Sequence, residues 1–423
     1  MVSLHPILRF MRRITLSFLC AAALAAIGVQ AATPAGALTG AGSFAADSLH
    51  ARPCGASPRG GWGPAAGQRA QILRIAEQAK KELRLKSVLL RVTVDGREVA
   101  TEALGESMTG VPATPRMHFR SGSVAIAYMA NLLLQLVDEG RVGLDDPIAR
   151  WFPDLPAADK VTLRMLGSST SGYADYVTDP EFLAALDAAP FRQWTARELV
   201  DISLSHPLWY APGTNWSYSH ANFVLLGAAL EKITRTPLAE LMEQRLLRPL
   251  GLRNSRSSRT PQIPRPVLHA FTDERGTYEE STFWNPSWTT APGAVMTTDI
   301  CDLARSAVAV GKGELLSRKS YATMLDPGTV GLGGPTADCP PEVCHHNTEA
   351  VHYGLGIKVN NAWVVQNPSF SGYAAAQGYL PSERVAIAVA TTTLPDAAAG
   401  NTAEALMGRI ADYLVPDQPR PVG

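Results

Sequence analysis

Ser123 is the residue whose surroundings speak most directly of chemistry. The chain reads Phe119-Arg120-Ser121-Gly122-Ser123-Val124-Ala125-Ile126, then an apolar run patterned as a helix from Ala127 to Gly140. A serine at the start of a buried helix can serve as a nucleophile when a base stands one turn later. Residues i and i+3 share a helix face, so a lysine at position 126 would lie beside the Ser123 hydroxyl and could take its proton. Ile126 occupies that position, and its side chain moves no proton at any pH. The lysines of the chain are Lys80, Lys81, Lys86, Lys160, Lys232, Lys312, Lys319 and Lys358, and none has Ser or Thr three residues before it. The setting of a serine nucleophile is therefore present without its Ser-x-x-Lys base.

Two other groups offer proton-transfer or ligand chemistry. His220 follows Tyr218 by two residues and is expected on a loop. A histidine there is either a substitute general base, suited to neutral pH, or a polar residue that only hydrogen-bonds. Lys358 is expected on a sheet strand and is a second candidate for the base. The stretch Cys339, Cys344, His345, His346 and His352 holds zinc-type ligands. A disulfide between Cys339 and Cys344, across the Pro340-Pro341 turn, accounts for it better in an exported protein, and no metal or cofactor is expected. Trp284 and Trp288 are candidates for a wall of the site, with core packing as the alternative.

The 423 residues are 46% hydrophobic and 18% charged, as expected of a globular chain with a sizeable core. Formal net charge is zero, so no field favours nucleic acid or an anionic membrane surface. Arg12-Arg13 precede the apolar run Ile14 to Ile27, and Val29-Gln30-Ala31 supplies small residues for cleavage. Met11 is an alternative start. The run is shorter than the roughly 20 residues needed to span a bilayer, so a cleavable signal over 1–31 is expected, with no stable membrane anchor beyond it. Cys20 lacks the small neighbour of a lipidated cysteine. The protein is expected to be secreted or periplasmic, where disulfides persist; the pairing of Cys54 and Cys301 is open.

The elements that must position these residues follow from pattern. Residues 32–67, rich in Ala, Gly, Ser and Pro, read as a flexible linker. Ile72, Ile75, Ala76, Ala79 and Leu83 fall on one helix face. Val88 to Val94 and Glu98 to Leu104 form a hairpin turned by Asp95-Gly96. From Ser123 to about Arg256 the chain is mostly helical, with a capping box at Thr195-Ala196-Arg197-Glu198. Asp299 to Val310 is helical; Tyr353 to Val359, Trp363 to Gln366, Ala374 to Leu380 and Val385 to Thr391 read as strands; Thr402 to Leu414 is a last helix. Strands near both ends and helices between them predict an α+β sandwich: an antiparallel sheet flanked by helices, with an all-helical lobe over about 123–285. The main domain is placed at 68–415 and a tail at 416–423.

Taken with Leu134-Gln135-Leu136-Val137-Asp138-Glu139-Gly140, Leu144-Asp145-Asp146-Pro147, Thr170-Ser171-Gly172-Tyr173, Pro212-Gly213-Thr214, Tyr218-Ser219-His220, Pro249-Leu250-Gly251-Leu252, Pro292-Gly293-Ala294 and Tyr353-Gly354-Leu355-Gly356, the Ser123 segment resembles the serine β-lactamase and D,D-peptidase superfamily. It is most similar to the class C β-lactamase, D,D-carboxypeptidase and esterase branch. The resemblance runs from about Gln68 to Val415. It implies acyl-enzyme hydrolysis of an ester or amide at Ser123, with Tyr218 joining proton transfer. His220 replaces an asparagine that binds the substrate amide. Counting back from Gly372-Tyr373, the third family motif falls at Gln366-Asn367-Pro368, where a Lys-Thr-Gly or His-x-Gly would bind the substrate carboxylate. Ser123, Tyr218 and His220 are thus the candidate catalytic residues, and Gln366, Asn367, Gly372 and Trp284 the candidate substrate-binding residues. The expected partner is a small-molecule or peptide substrate, with the cell wall as one source. The rival readings are a binding protein that keeps the site and has lost the chemistry, and a structural partner using the helical lobe.

Overall fold

The computed structural model describes residues 54–55, 64–337, 339, 341 and 343–418. The signal segment and most of the expected linker lie outside them. Helix α1 (Pro64–Glu82) opens inside the segment read as linker, with proline at its first position. Proline is pre-set for a helix start, where the missing N–H costs nothing. Cys54, also within that segment, is buried and bonded to Cys301, with a Cα–Cα separation of 5.7 Å. That part of the chain is therefore tied to the body.

Strands β1 (Leu85–Val94) and β2 (Arg97–Met108) form the expected hairpin, with Asp95 and Gly96 at positive φ in its turn. The strands that follow are β3 (Val111–Pro112), β4 (Phe119–Arg120), β5 (Arg256–Ser258), β6 (Phe271–Thr272), β7 (Glu279–Glu280) and β8 (Val295–Thr298). The C-terminal set is β9 (Val351–Tyr353), β10 (Lys358–Asn360), β11 (Trp363–Gln366), β12 (Ser369–Phe370), β13 (Tyr373–Leu380) and β14 (Val385–Thr393). The main sheet runs β3-β2-β1-β14-β13-β11-β10-β9, with β12 on β13. Its pairings are antiparallel, so strands from both ends of the chain complete one sheet. The single strand expected over Tyr353 to Val359 is two, because the chain turns between them at Gly354 to Gly356. That turn packs against α2 (Val124–Asp138): a Cβ on Gly356, already at φ +65°, would lie 2.7 Å from the Ile126 carbonyl oxygen.

The lobe is built from α2, α3 (Leu163–Ser168), α4 (Pro180–Ala188), α5 (Ala196–Leu204), α6 (His220–Thr234) and α7 (Leu238–Met242). Thr195 caps α5 in a capping box with Glu198. Helices α8 (Ile300–Gly311), α9 (Arg318–Leu325) and α10 (Thr402–Leu414) complete the chain. Period-2 alternation on the sheet separates two cores. Leu89, Val364, Ala375 and Ala388 join α2 and the lobe in one; Val88, Leu90, Val365 and Ala374 join α1 and α10 in the other.

Candidate active site

Ser123 is held at a strand-to-helix turn. Strand β4 pairs with β8, and the Ser121 N–H donates to the Met296 carbonyl at 3.2 Å. Gly122, at φ +36°, then redirects the chain into α2. Ser123 is the N-cap of α2, yet its side chain makes no capping bond. Its hydroxyl lies near enough to the Tyr218 phenol to act on that group's acidity. Burial pushes the Tyr218 phenol well up, the nearby Asp175 charge adds to this, and the neighbouring Ser123 hydroxyl opposes it.

The segment carrying Tyr218 is zipped to the loop after α3. Trp209 N–H donates to the Gly172 carbonyl, Gly213 N–H to Thr170, and Ser217 N–H to Ser169, at 2.8 to 3.3 Å. Gly172 has to be glycine: at φ +86°, an added Cβ would lie 2.2 Å from the Tyr210 carbonyl oxygen. The Ala174 carbonyl accepts from the hydroxyls of Ser203 and Ser219. This lacing delivers Asp175 to His220. The imidazole Nδ1 lies 2.9 and 3.1 Å from the two Asp175 oxygens, and the His220 backbone N–H donates to the same carboxylate at 3.2 Å. His220 is the first residue of α6 rather than a loop residue. Its ring stands edge-to-face against Tyr218, with centroids 5.0 Å apart at 87°.

Aromatic side chains close the surroundings. Trp288 lies 6.2 Å from the His220 ring and 6.1 Å from Phe370; Tyr353 lies 6.0 Å from Tyr218, and Tyr176 5.7 Å from His220. Burial holds the Tyr176 and Tyr353 phenols neutral, well above their usual range.

The sheet side differs from what the sequence suggests. Asn367 turns toward α10, where its amide donates to Glu404 at 2.5 Å. Lys358 pairs directly with Val365, so it shares that α10-facing side, and its amine lies 3.9 Å from Glu404. It is not placed to serve Ser123. Gln366 is on the lobe side, but its amide is spent on the Gly356 carbonyl. Gly372, at φ +85°, is pressed on the Phe271 backbone, where a Cβ would lie 2.1 Å from the carbonyl oxygen. Trp284 lies behind the site: its carbonyl accepts from Arg120, and Arg275 stands over its ring at 5.6 Å. Trp288 is the tryptophan beside His220. Pro368 lies against the turn that leads into Ser123, for a Cβ on Gly122 would meet the Pro368 Cβ at 3.0 Å. Arg120 itself is buried under Phe370, and burial pulls its guanidinium down to about 10.

The cysteines considered for a metal are bonded as Cys339 to Cys344, with Cα atoms 5.9 Å apart, so neither offers a thiolate. His352 faces two carbonyls, of Thr348 and Leu325. The cluster of Cys54, Asp299 and Cys301 likewise contains a disulfide.

Sequence reasoning missed Asp175. The signal was present: an acid two residues beyond Thr170-Ser171-Gly172-Tyr173, placed to cap the turn at Tyr176. Which histidine it would meet depends on the lacing of two loops.

A serine at the mouth of a buried helix, close to a lobe tyrosine, fits a serine-hydrolase architecture. The Beta-lactamase family model matches residues 72–411, and the chain belongs to that family. It is 30% identical over 203 residues to Esterase EstB of Burkholderia gladioli, covering 45% of this chain and 52% of that one. Penicillin-binding protein 4 of Amycolatopsis lactamdurans is 32% identical over 267 residues, covering 58% and 66%. The chain thus spans about half to two thirds of the length of these curated relatives. Among solved structures, a D-stereospecific amidohydrolase from Streptomyces sp. superposes with a TM-score of 0.65 at 25% identity, covering 77% of this chain and 94% of the other. D-amino acid amidase from Ochrobactrum anthropi superposes with a TM-score of 0.70 at 22% identity, covering 83% and 99%, and supports the fold alone.

Proposed function

We propose that this protein is an exported serine hydrolase that forms an acyl-enzyme on Ser123 with small esters or activated amides lacking an obligatory carboxylate. The observation that carries the reading is Ser123 at the start of α2, its hydroxyl free of any capping bond and close to the Tyr218 phenol. Ester preference follows from the missing lysine. Loss of a general base costs about 10²- to 10⁴-fold, which activated esters tolerate better than amides. Indifference to a carboxylate follows from the third motif. Gln366 and Asn367 carry no charge, and both amides are engaged elsewhere. A relative named as an esterase makes an ester the natural substrate class. Export rests on Arg12-Arg13, the Ile14 to Ile27 run and the two disulfides. Among the described residues no helix is long and apolar enough to cross a membrane.

A second reading, binding without turnover, is favoured by Pro368 packed on Gly122 beside the nucleophile. Intact-mass measurement separates the two. The hydrolase reading expects a fluorophosphonate to add once to the wild type and not to Ser123→Ala, with penicillin adding little. Absence of any Ser123-dependent adduct leaves the binding reading.

A further inference from the structure

We infer that His220 and Asp175 form the proton-accepting pair for Ser123, in a chain whose helix offers no lysine. The inference rests on the acyl-enzyme reading above. Asp175 is buried, and its carboxylate accepts from the His220 ring, from the His220 backbone N–H and from the Val177 N–H at 3.2 Å. An ionised carboxylate only accepts, so Nδ1 is the nitrogen that carries the proton. Nε2, on the opposite edge of the ring, then keeps its lone pair. That is the tautomer a general base needs, and a carboxylate behind it stabilises the imidazolium that forms.

The ring has few other titratable neighbours. The groups facing it are Asp175 and Tyr176 from the loop after α3, and Tyr218 from the segment before α6; Trp288 contributes an uncharged wall. The His220 side chain is 18% exposed, so it is shielded without being sealed. Tyr218 neighbours both groups: its ring stands perpendicular to the imidazole, and the Ser123 hydroxyl lies close enough to act on its phenol. With its phenol held neutral, Tyr218 is a relay and not itself the base.

The step balances without a co-reactant. The Ser123 Oγ proton passes to the Tyr218 oxygen as the phenol proton passes to His220 Nε2, and Oγ bonds to the acyl carbon. The leaving alkoxide then takes the proton from His220. Water returns along the same route, releasing the acid and restoring Ser123. In this scheme Asp175 is a positioning residue, acting through the imidazole it holds.

The test follows the rate of fluorophosphonate addition to Ser123 by intact mass, across pH 5 to 9, on the full chain. Here Oγ bonds to phosphorus and fluoride leaves, so alkoxide protonation plays no part. In the wild type the rate rises as the imidazole loses its proton. His220→Gln is expected to lose that rise and to slow addition by about 10²-fold. Asp175→Asn should slow it by a similar factor and alter the pH profile, with partial recovery in Asp175→Glu. Asparagine keeps an acceptor for both backbone N–H groups, so it carries the test if His220→Gln does not fold. A folded His220→Gln or Asp175→Asn protein with wild-type rate and profile overturns the inference and leaves the acyl-enzyme reading standing. Failure of the wild type to label at Ser123 overturns both.

Discussion

On the lobe side of Ser123 the polar groups converge; on the sheet side they turn away. Tyr218 lies near the serine, His220 stands against Tyr218, and Asp175 holds His220. Across the site, Asn367 and Lys358 share Glu404 on the far face of the sheet, and Gln366 braces the turn at Gly356. One wall kept groups able to move a proton, while the other became packing. The difference teaches that a site of this architecture can lose charge recognition and proton transfer separately, because the two are mounted on different elements.

The largest expected effect tests the uncharged sheet wall and the missing lysine together. A β-lactam needs the base, worth about 10²- to 10⁴-fold, and also charge stabilisation, worth about 10²- to 10³-fold per lost donor. Nitrocefin hydrolysis that disappears in Ser123→Ala should therefore be undetectable; efficient, Ser123-dependent turnover would mean the sheet wall still recognises its carboxylate.

Ile126→Lys comes next. Ile126 is 1% exposed within the apolar cluster, so the substitution should cost about 3 kcal/mol, read as a lower unfolding midpoint. If Ser123 is placed as described, p-nitrophenyl ester hydrolysis should rise about tenfold, less than a sole base would give, since in the proposed scheme His220 already accepts the proton. A gain that persists in Ser123→Ala/Ile126→Lys would show the lysine acting alone.

Gly122→Ala probes the contact between the walls. At φ +36° and against Pro368, it should destabilise by about 1–2 kcal/mol. Part of that loss should return in Gly122→Ala/Pro368→Gly, measured by denaturant unfolding. Simple additivity of the two changes would refute the contact.

Asn367→Ala is the smallest. Losing one amide bond to Glu404 should cost about 1 kcal/mol and leave ester hydrolysis within about twofold of wild type. A tenfold loss of activity would place Asn367 in the site after all.

Much of the architecture was legible because it rests on local pattern. Helix α10 and strand β11 begin and end where the periodicity places them, and Thr195 with Glu198 forms the capping box its spacing announces. The linker boundary was not legible, since a composition rich in Ala, Gly and Pro does not reveal that Cys54 bonds to a cysteine 247 residues away. Ser123, Tyr218 and His220 could be picked out as candidates because motif order survives in the chain, and the fold sets the Tyr218 and His220 rings together. Trp284 and Trp288 could not be told apart by type, and only the path of the segment between them sets Trp288 beside His220 and Trp284 over Arg120.

The sequence by itself determined the elements, the family and the absence of a Ser-x-x-Lys, because each depends on residue identity at short spacing. Tertiary structure decided which side chains share the site. Sheet parity sent Lys358 and Asn367 to the α10 face, since paired and alternate residues on a sheet have fixed sides. Backbone bonds between two loops brought Asp175 to His220 across 45 residues, a meeting that no local spacing encodes.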